Sequence, residues 1–134
     1  MKPIRELVPH EGAMCLLDAV VDWDEQSIAC RATSHRDPAN PLRTSAGLAA
    51  VIGIEYAAQA VAAHGALTQG RSAIGYLASL RDVECLVERL DTEAEELLVR
   101  AKRIAAESGR LLYDFRLECG GRELATGRLS VVLK

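Results

Sequence analysis

The run from Ala46 to Leu67, AGLAAVIGIEYAAQAVAAHGAL, constrains this chain more than any other stretch, because it carries one carboxylate, Glu55, and one amide, Gln59, in otherwise apolar surroundings. Its Ala-rich interior favours helix, and Thr44 or Ser45 just ahead of it can accept hydrogen bonds from the first free N–H groups. Gly65 and Gly70 offer stops at the far end. At 1.5 Å per residue the run makes a helix about 30 Å long. Its apolar positions nearly encircle it, so the rest of the chain has to cover it on most sides. A membrane span is the rival reading. Glu, Gln and His inside it are costly in lipid, and so much Ala and Gly makes it only weakly hydrophobic, which favours burial in protein.

Glu55 is the most informative single residue. An ionised carboxylate in apolar surroundings is costly unless it is paired, so the group finds partners, holds a proton or faces a wet pocket. Gln59 at i+4 and Ile52 at i−3 share its face, which places a polar spot in a greasy stripe. Two readings stay open: a structural Glu bonded to backbone or Arg, and a general acid or base tuned by its surroundings.

With 134 residues and 49% hydrophobic content the chain can build one compact domain over 1–134, and no composition shift marks a second. A net charge of −3 without basic tracts argues against a nucleic-acid partner. Cys15, Cys30, Cys85 and Cys119 show no metal-ligand spacing and read as unbridged thiols. No phosphate-cradling Gly loop and no ligand cluster is present in the sequence, so no metal or cofactor is expected. The opening MKPIRELVPHEG has no apolar stretch of signal-peptide length, and a cytoplasmic protein is the default expectation.

In chain order, Pro9 to Gly12 punctuates the entry to a strand from Met14 to Trp23. Asp24 to Gln26 then turns into a second strand, Ser27 to Thr33, where apolar and polar residues alternate. Two prolines and turn-forming Asp and Asn exclude regular structure from Ser34 to Arg43. After the helix, Ser72 to Val87 reads as one long or bent strand, with Gly75 marking a bulge or close approach. Glu96–Ala106, Arg110–Cys119 and Arg122–Leu133 follow, separated by the hairpin signals Ser108-Gly109 and Gly120-Gly121. Glu96–Ala106 is a helix by propensity, but the two tight turns that follow favour strand. An antiparallel sheet wrapped around one central helix is the economical way to cover such a helix, an α+β arrangement.

The residues also resemble a family. PHEGAMCLLDAVVDWDEQSIACRATS is similar to the Pro-His-x-x-x-Met/Phe-Leu-Leu-Asp opening of the hotdog-fold 3-hydroxyacyl-[acyl-carrier-protein] dehydratases. GIEYAAQAVAAHGAL resembles their central helix, and YLASLRDVECLVERLD resembles the following strand less sharply. NPLR ahead of GIEYAAQ resembles a bacterial subgroup of predicted dehydratases, some tied to aryl polyene synthesis. The resemblance implies a hotdog fold, an acyl-carrier-protein or coenzyme A thioester as substrate, and a homodimer or dimer-based oligomer whose sheets pair side by side. A free sheet edge independently asks for a partner. No membrane partner is expected.

One departure bears on the chemistry. The housekeeping enzymes carry a catalytic His in the loop before the helix, and counting back from Glu55 puts Pro41, beside Asn40, at that position here. His10 is the first replacement candidate, because the resemblance places the Pro-His loop at the edge of the acyl pocket; His35 is the second. His64, nine residues beyond Glu55 or about two and a half turns, reads as structural. The expected site is therefore Glu55 and His10 as the acid–base pair, with Gln59, His35 and Ser79 on the substrate; the resemblance implies that Glu55 and His10 come from different subunits. The resemblance assigns polarisation of the thioester carbonyl to the helix N-terminus and an N–H near Ser79. Arg36, Arg43 and Arg71 flank the loop and the helix ends and are expected to gather near an anionic carrier. The alternatives are a hotdog thioesterase that uses Glu55 as base or nucleophile, and a non-catalytic hotdog subunit that binds acyl chains or braces a partner.

Overall fold

The structure, a computed structural model, describes residues 4–8, 12–69 and 75–133. Six strands, β1 (Ala19–Trp23), β2 (Ser27–Ala32), β3 (Gly75–Cys85), β4 (Leu97–Glu107), β5 (Arg110–Cys119) and β6 (Arg122–Leu133), form one antiparallel sheet in the order β1-β2-β4-β5-β6-β3. The sheet wraps one helix, α1 (Gly53–Gln69), in the hotdog arrangement expected. Buried residues of β2, β4 and β5, among them Cys30, Val99, Tyr113 and Leu117, meet Tyr56, Ala57, Ala60 and Ala63 of the helix.

The turns follow their sequence signals. Ser108 (φ 47°) with Gly109 (φ 78°), and Gly120 (φ 59°) with Gly121 (φ 80°), take the paired left-handed geometry that matches a two-residue hairpin to the twist of its strands. Glu96–Ala106, helical by propensity, is a strand over Leu97–Glu107. Its alternation of buried Leu97, Val99 and Ala101 with the more exposed Leu98, Arg100 and Lys102 overrides propensity once it is paired on both sides.

Three boundaries differ from the sequence expectation. The helix starts at Gly53, not near Ala46, because the backbone of 48–50 is already committed: Leu90 N–H donates to the Leu48 carbonyl and Ala50 N–H to the Glu88 carbonyl. Neither Thr44 nor Ser45 caps it; Thr44 closes a tight turn with Gly47. Only glycine serves at 47, since its φ is +97° and a Cβ would stand 2.7 Å from Arg89 and Asp91 side-chain atoms. The helix also runs past Gly65, which is buried in its interior, to Gln69, for a length of about 25 Å.

β1 begins at Ala19 and not at Met14, because Met14 and Leu16 give their backbone groups to Gln59. In β3 the irregularities fall between Leu77 and Ser79 and between Arg81 and Glu84, with Asp82 at φ 52°, while Gly75 pairs regularly with Leu133. No helix among the described residues is long and apolar enough to cross a membrane.

Candidate active site

The sheet does not close around α1. Val51, Glu55, Ala58 and Ala62 fall on one helical stripe, at spacings of four, three and four; the first two are exposed and the last two half-buried. β3, one of the two edge strands, turns Leu77 and Leu80 to the helix side, opposite Val131 and the buried Leu129, yet leaves them 46% and 40% exposed. Val83 and Leu86 are also exposed. Glu55 thus lies in the first turn of α1, exposed on an apolar stripe of the described residues. The sequence expectation of a carboxylate in the middle of a buried helix is corrected on both counts, since the helix starts late and the sheet covers only part of it. At this end of the helix a carboxylate is favoured by the aligned peptide dipoles.

One turn further on, Gln59 is buried and fully engaged: its Oε1 accepts the Leu16 N–H at 2.8 Å and its Nε2 donates to the Met14 carbonyl at 2.6 Å. Beside it, the buried Tyr56 hydroxyl meets Ser34 Oγ at 2.7 Å and receives an N–H of Asn40 at 3.2 Å. Ser34 donates in turn to the Leu16 carbonyl at 2.8 Å, and Asn40 ties the loop to itself through the Ser34 carbonyl and the Leu42 N–H. Asn40, beside the position where the housekeeping enzymes carry histidine, is therefore spent on structure.

The histidines divide. His35 is wholly buried, with Nε2 against the Glu93 carbonyl at 3.1 Å and Nδ1 without a partner; desolvation pushes its pKa below the ordinary value. His64 is wholly buried too, with Nε2 2.8 Å from the Asp24 carbonyl and Nδ1 2.6 Å from the Tyr113 hydroxyl. A carbonyl only accepts, so Nε2 carries the proton and Nδ1 accepts from Tyr113, whose oxygen receives two N–H groups of Arg103. Desolvation lowers the His64 pKa as well. His10, the first candidate for the acid–base partner, lies outside the described residues.

Ser79 sits on the face of the sheet away from the helix, its Oγ 2.6 Å from that of Ser130 directly opposite. Of the arginines, Arg43 is held by Asp91 and by the His35 carbonyl, Arg36 is exposed, and Arg71 lies outside the described residues. Asp91, between Arg89 and Arg43 and accepting the Leu48 N–H, has its carboxyl held well below the usual carboxylate range by Arg89 first of all. The site thus gathers Glu55, Gln59 and Tyr56 on one end of the helix, while His35 and Ser79 stand apart from it.

Two depressions, of about 580 and 650 Å³, lie on the sheet's outer face, and neither includes Glu55. They are open troughs among paired charges such as Arg128–Asp114 and Arg116–Glu123, which gives them little to hold an acyl chain. Tyr56, Ser34 and Asn40 were not singled out from sequence. Their signal was a hydroxyl-bearing aromatic next to the one carboxylate of an apolar run, and an Asn held between two prolines. Among the described residues no group of three or more His, Cys, Asp or Glu is placed to hold a metal ion, and all four cysteines are free thiols.

Comparison with known proteins follows this geometry. A sequence model described as ApeP-like, ApeP dehydratase, matches residues 2–134. Among solved structures the chain is similar to one titled the dehydratase heterocomplex ApeI:P from Xenorhabdus doucetiae, at a TM-score of 0.87 and 25% identity over 100% of this chain and 92% of that one. It is also similar to a thioesterase from Haemophilus influenzae (TM-score 0.63, 11% identity, 86% of this chain and 76% of that one). The E. coli PaaI protein from the phenylacetic acid degradation operon gives a TM-score of 0.61 at 16% identity over 84% and 80% of the two chains. The last two likenesses show the fold alone. No curated protein matches the chain.

Proposed function

Because the chain belongs to the ApeP-like dehydratase family, we propose that it forms part of a dehydratase acting on 3-hydroxyacyl thioesters, carried by an acyl-carrier protein or coenzyme A, in fatty-acid or polyene synthesis. The observation that carries this reading is the carboxylate of Glu55 on an apolar, open surface at the N-terminal end of α1. Dehydration removes a proton from the carbon next to the thioester carbonyl and expels the 3-hydroxyl as water. One group takes the first proton, another protonates the leaving hydroxyl, and N–H donors hold the developing enolate oxygen. Glu55 and His10 are the pair proposed for the two proton transfers.

The pair is proposed to meet across a subunit boundary, with Glu55 from one protomer and His10 from its partner. The free edge of β3 supplies backbone N–H groups without a sheet partner, the donors the enolate oxygen needs near Ser79. A second subunit seated on β3, a copy of this chain or a related one, covers Leu77, Leu80 and the Glu55 stripe and turns an open surface into an acyl pocket.

The related-chain version is a second reading, favoured by the loop before the helix: Asn40 is spent on Tyr56 and the Ser34 carbonyl, and His35 is sealed from solvent. In that version the partner supplies the histidine. Incubation with 3-hydroxyacyl and 2-enoyl thioesters tests all of these. Interconversion by the chain alone supports the first reading, interconversion only with a histidine-bearing hotdog partner supports the second, and release of free thiol marks a thioesterase and overturns both.

A further inference from the structure

Four polar groups run in a buried chain beside the Glu55 turn: Asn40, Tyr56, Ser34 and, across the backbone of Leu16, Gln59. The proton assignment is forced. Ser34 has one hydroxyl proton, and the Leu16 carbonyl can only accept it, so Tyr56 donates to Ser34 Oγ. The Tyr56 oxygen is then free to accept from Asn40, while the Leu16 N–H goes to Gln59. Each side-chain polar atom in the chain has a partner. The bonds join three separate segments: the helix at the residue after Glu55 and again one turn later, the loop 34–42, and the stretch 14–16.

On its other side the Glu55 turn is exposed, at Val51 and at Glu55 itself. Core packing at Gly53, Ile54 and Ala57 holds one face of this turn, and the directional bonds from Tyr56 and Gln59 add the constraint that fixes its rotation and height. Apolar contacts in the same place would let the helix slide or rotate, whereas a fully satisfied hydrogen-bond chain admits one arrangement.

We propose that Tyr56 and Asn40 are positioning residues for Glu55, fixing where its carboxylate stands relative to the substrate without touching the substrate themselves; this rests on the reading of Glu55 as the acid–base group. The loop that carries a catalytic side chain in the housekeeping enzymes acts here as an anchor for the helix.

The test is hydration of a 2-enoyl coenzyme A thioester by the assembled protein, well below its melting transition. Tyr56→Phe keeps the ring and removes the hydroxyl, and is expected to lower kcat by roughly 10- to 100-fold with KM unchanged, the cost of displacing a catalytic group by a fraction of an ångström to an ångström. Asn40→Asp keeps the acceptor for the Leu42 N–H and removes both donors. It should move kcat in the same direction, which covers the case in which Tyr56→Phe folds poorly. Wild-type kcat in both variants overturns the proposal, as does a loss that tracks only the unfolded fraction and disappears on cooling. Glu55→Gln in the same series separates the premise from the proposal: full activity there removes the acid–base reading itself, and the positioning role with it.

Discussion

The two ends of α1 pose the same problem and meet it in opposite ways. Each carries one ionisable side chain in an apolar helix, Glu55 in the first turn and His64 in the penultimate one. His64 is enclosed, and each ring nitrogen has its partner, Tyr113 on one side and the Asp24 carbonyl on the other, with Arg103 and Thr68 behind. Glu55 is exposed, on a helical stripe with Val51, Ala58 and Ala62. A buried polar group with complete partners holds a fold together. A polar group set among uncovered apolar side chains is available to something else. The helix is tied at both ends, and only at the near end does one side stay open.

The sharpest way to break this contrast is to exchange chemistry for stability at each end. Glu55→Gln preserves shape and removes the ionisable group; dehydration should fall by at least about 100-fold while the melting temperature holds, because a general acid or base contributes roughly that much or more. Retained turnover would sink the acid–base reading. His10→Asn should do likewise, and if His35→Asn abolishes turnover in its place, the histidine has been misassigned. At the other end, His64→Leu removes a ring whose two partners stay behind without it. Stability in urea should drop by about 2–3 kcal/mol while kcat per folded molecule is unchanged.

A pH titration sharpens the same comparison. His64 and His35 both have folded-state pKa values pushed below the ordinary 6.5 by desolvation. The unfolded chain therefore takes up protons first as pH falls, so their contribution to stability is intact above about pH 6.5 and is lost progressively below it. Around His64 the groups concerned are Arg103, Tyr113 and Asp24; around His35 they are Arg36, Arg43, Glu93 and Glu95. Urea midpoints that stay level from pH 8 to 6.5 and fall toward pH 5, with a shallower fall in His64→Leu, are the expected outcome. The smallest effect belongs to the open side: Leu80→Ser, which trims the β3 surface without touching the core, should weaken assembly about tenfold in sedimentation and leave the monomer's melting temperature in place.

Much of the fold was legible because it is written in local patterns. The Ser108-Gly109 and Gly120-Gly121 hairpins, the alternation of β2 and the order of strands around one helix all follow from residues near each other in sequence. The hidden features depend on pairings across the chain. Propensity alone starts the helix near Ala46, yet 48–50 hydrogen-bond to 88–90; a strand pattern starts β1 at Met14, yet Gln59 takes that backbone. Glu55 was singled out for its type and setting, but its exposure depends on how far the sheet wraps, and no periodicity in the chain encodes that. Gln59 was expected at the substrate and instead holds backbone. A buried amide next to a catalytic candidate looks the same in sequence whether it faces a ligand or a loop.

The order of the elements along the chain carries a consequence for how the protein is made. α1 ends at Gln69; of the strands that cover it, β2 precedes it, whereas β4 and β5 begin at Leu97 and end at Cys119. At a synthesis rate of roughly 5–20 residues per second, the apolar helix leaves the ribosome several seconds before most of its cover exists. The β4–β5–β6 meander, joined by two-residue turns, then closes within microseconds and supplies that cover almost at once. Translation, and not the search for native contacts, sets how long the sticky part of this chain stays in view of chaperones, and slowing the ribosome between residues 70 and 119 should lower its soluble yield.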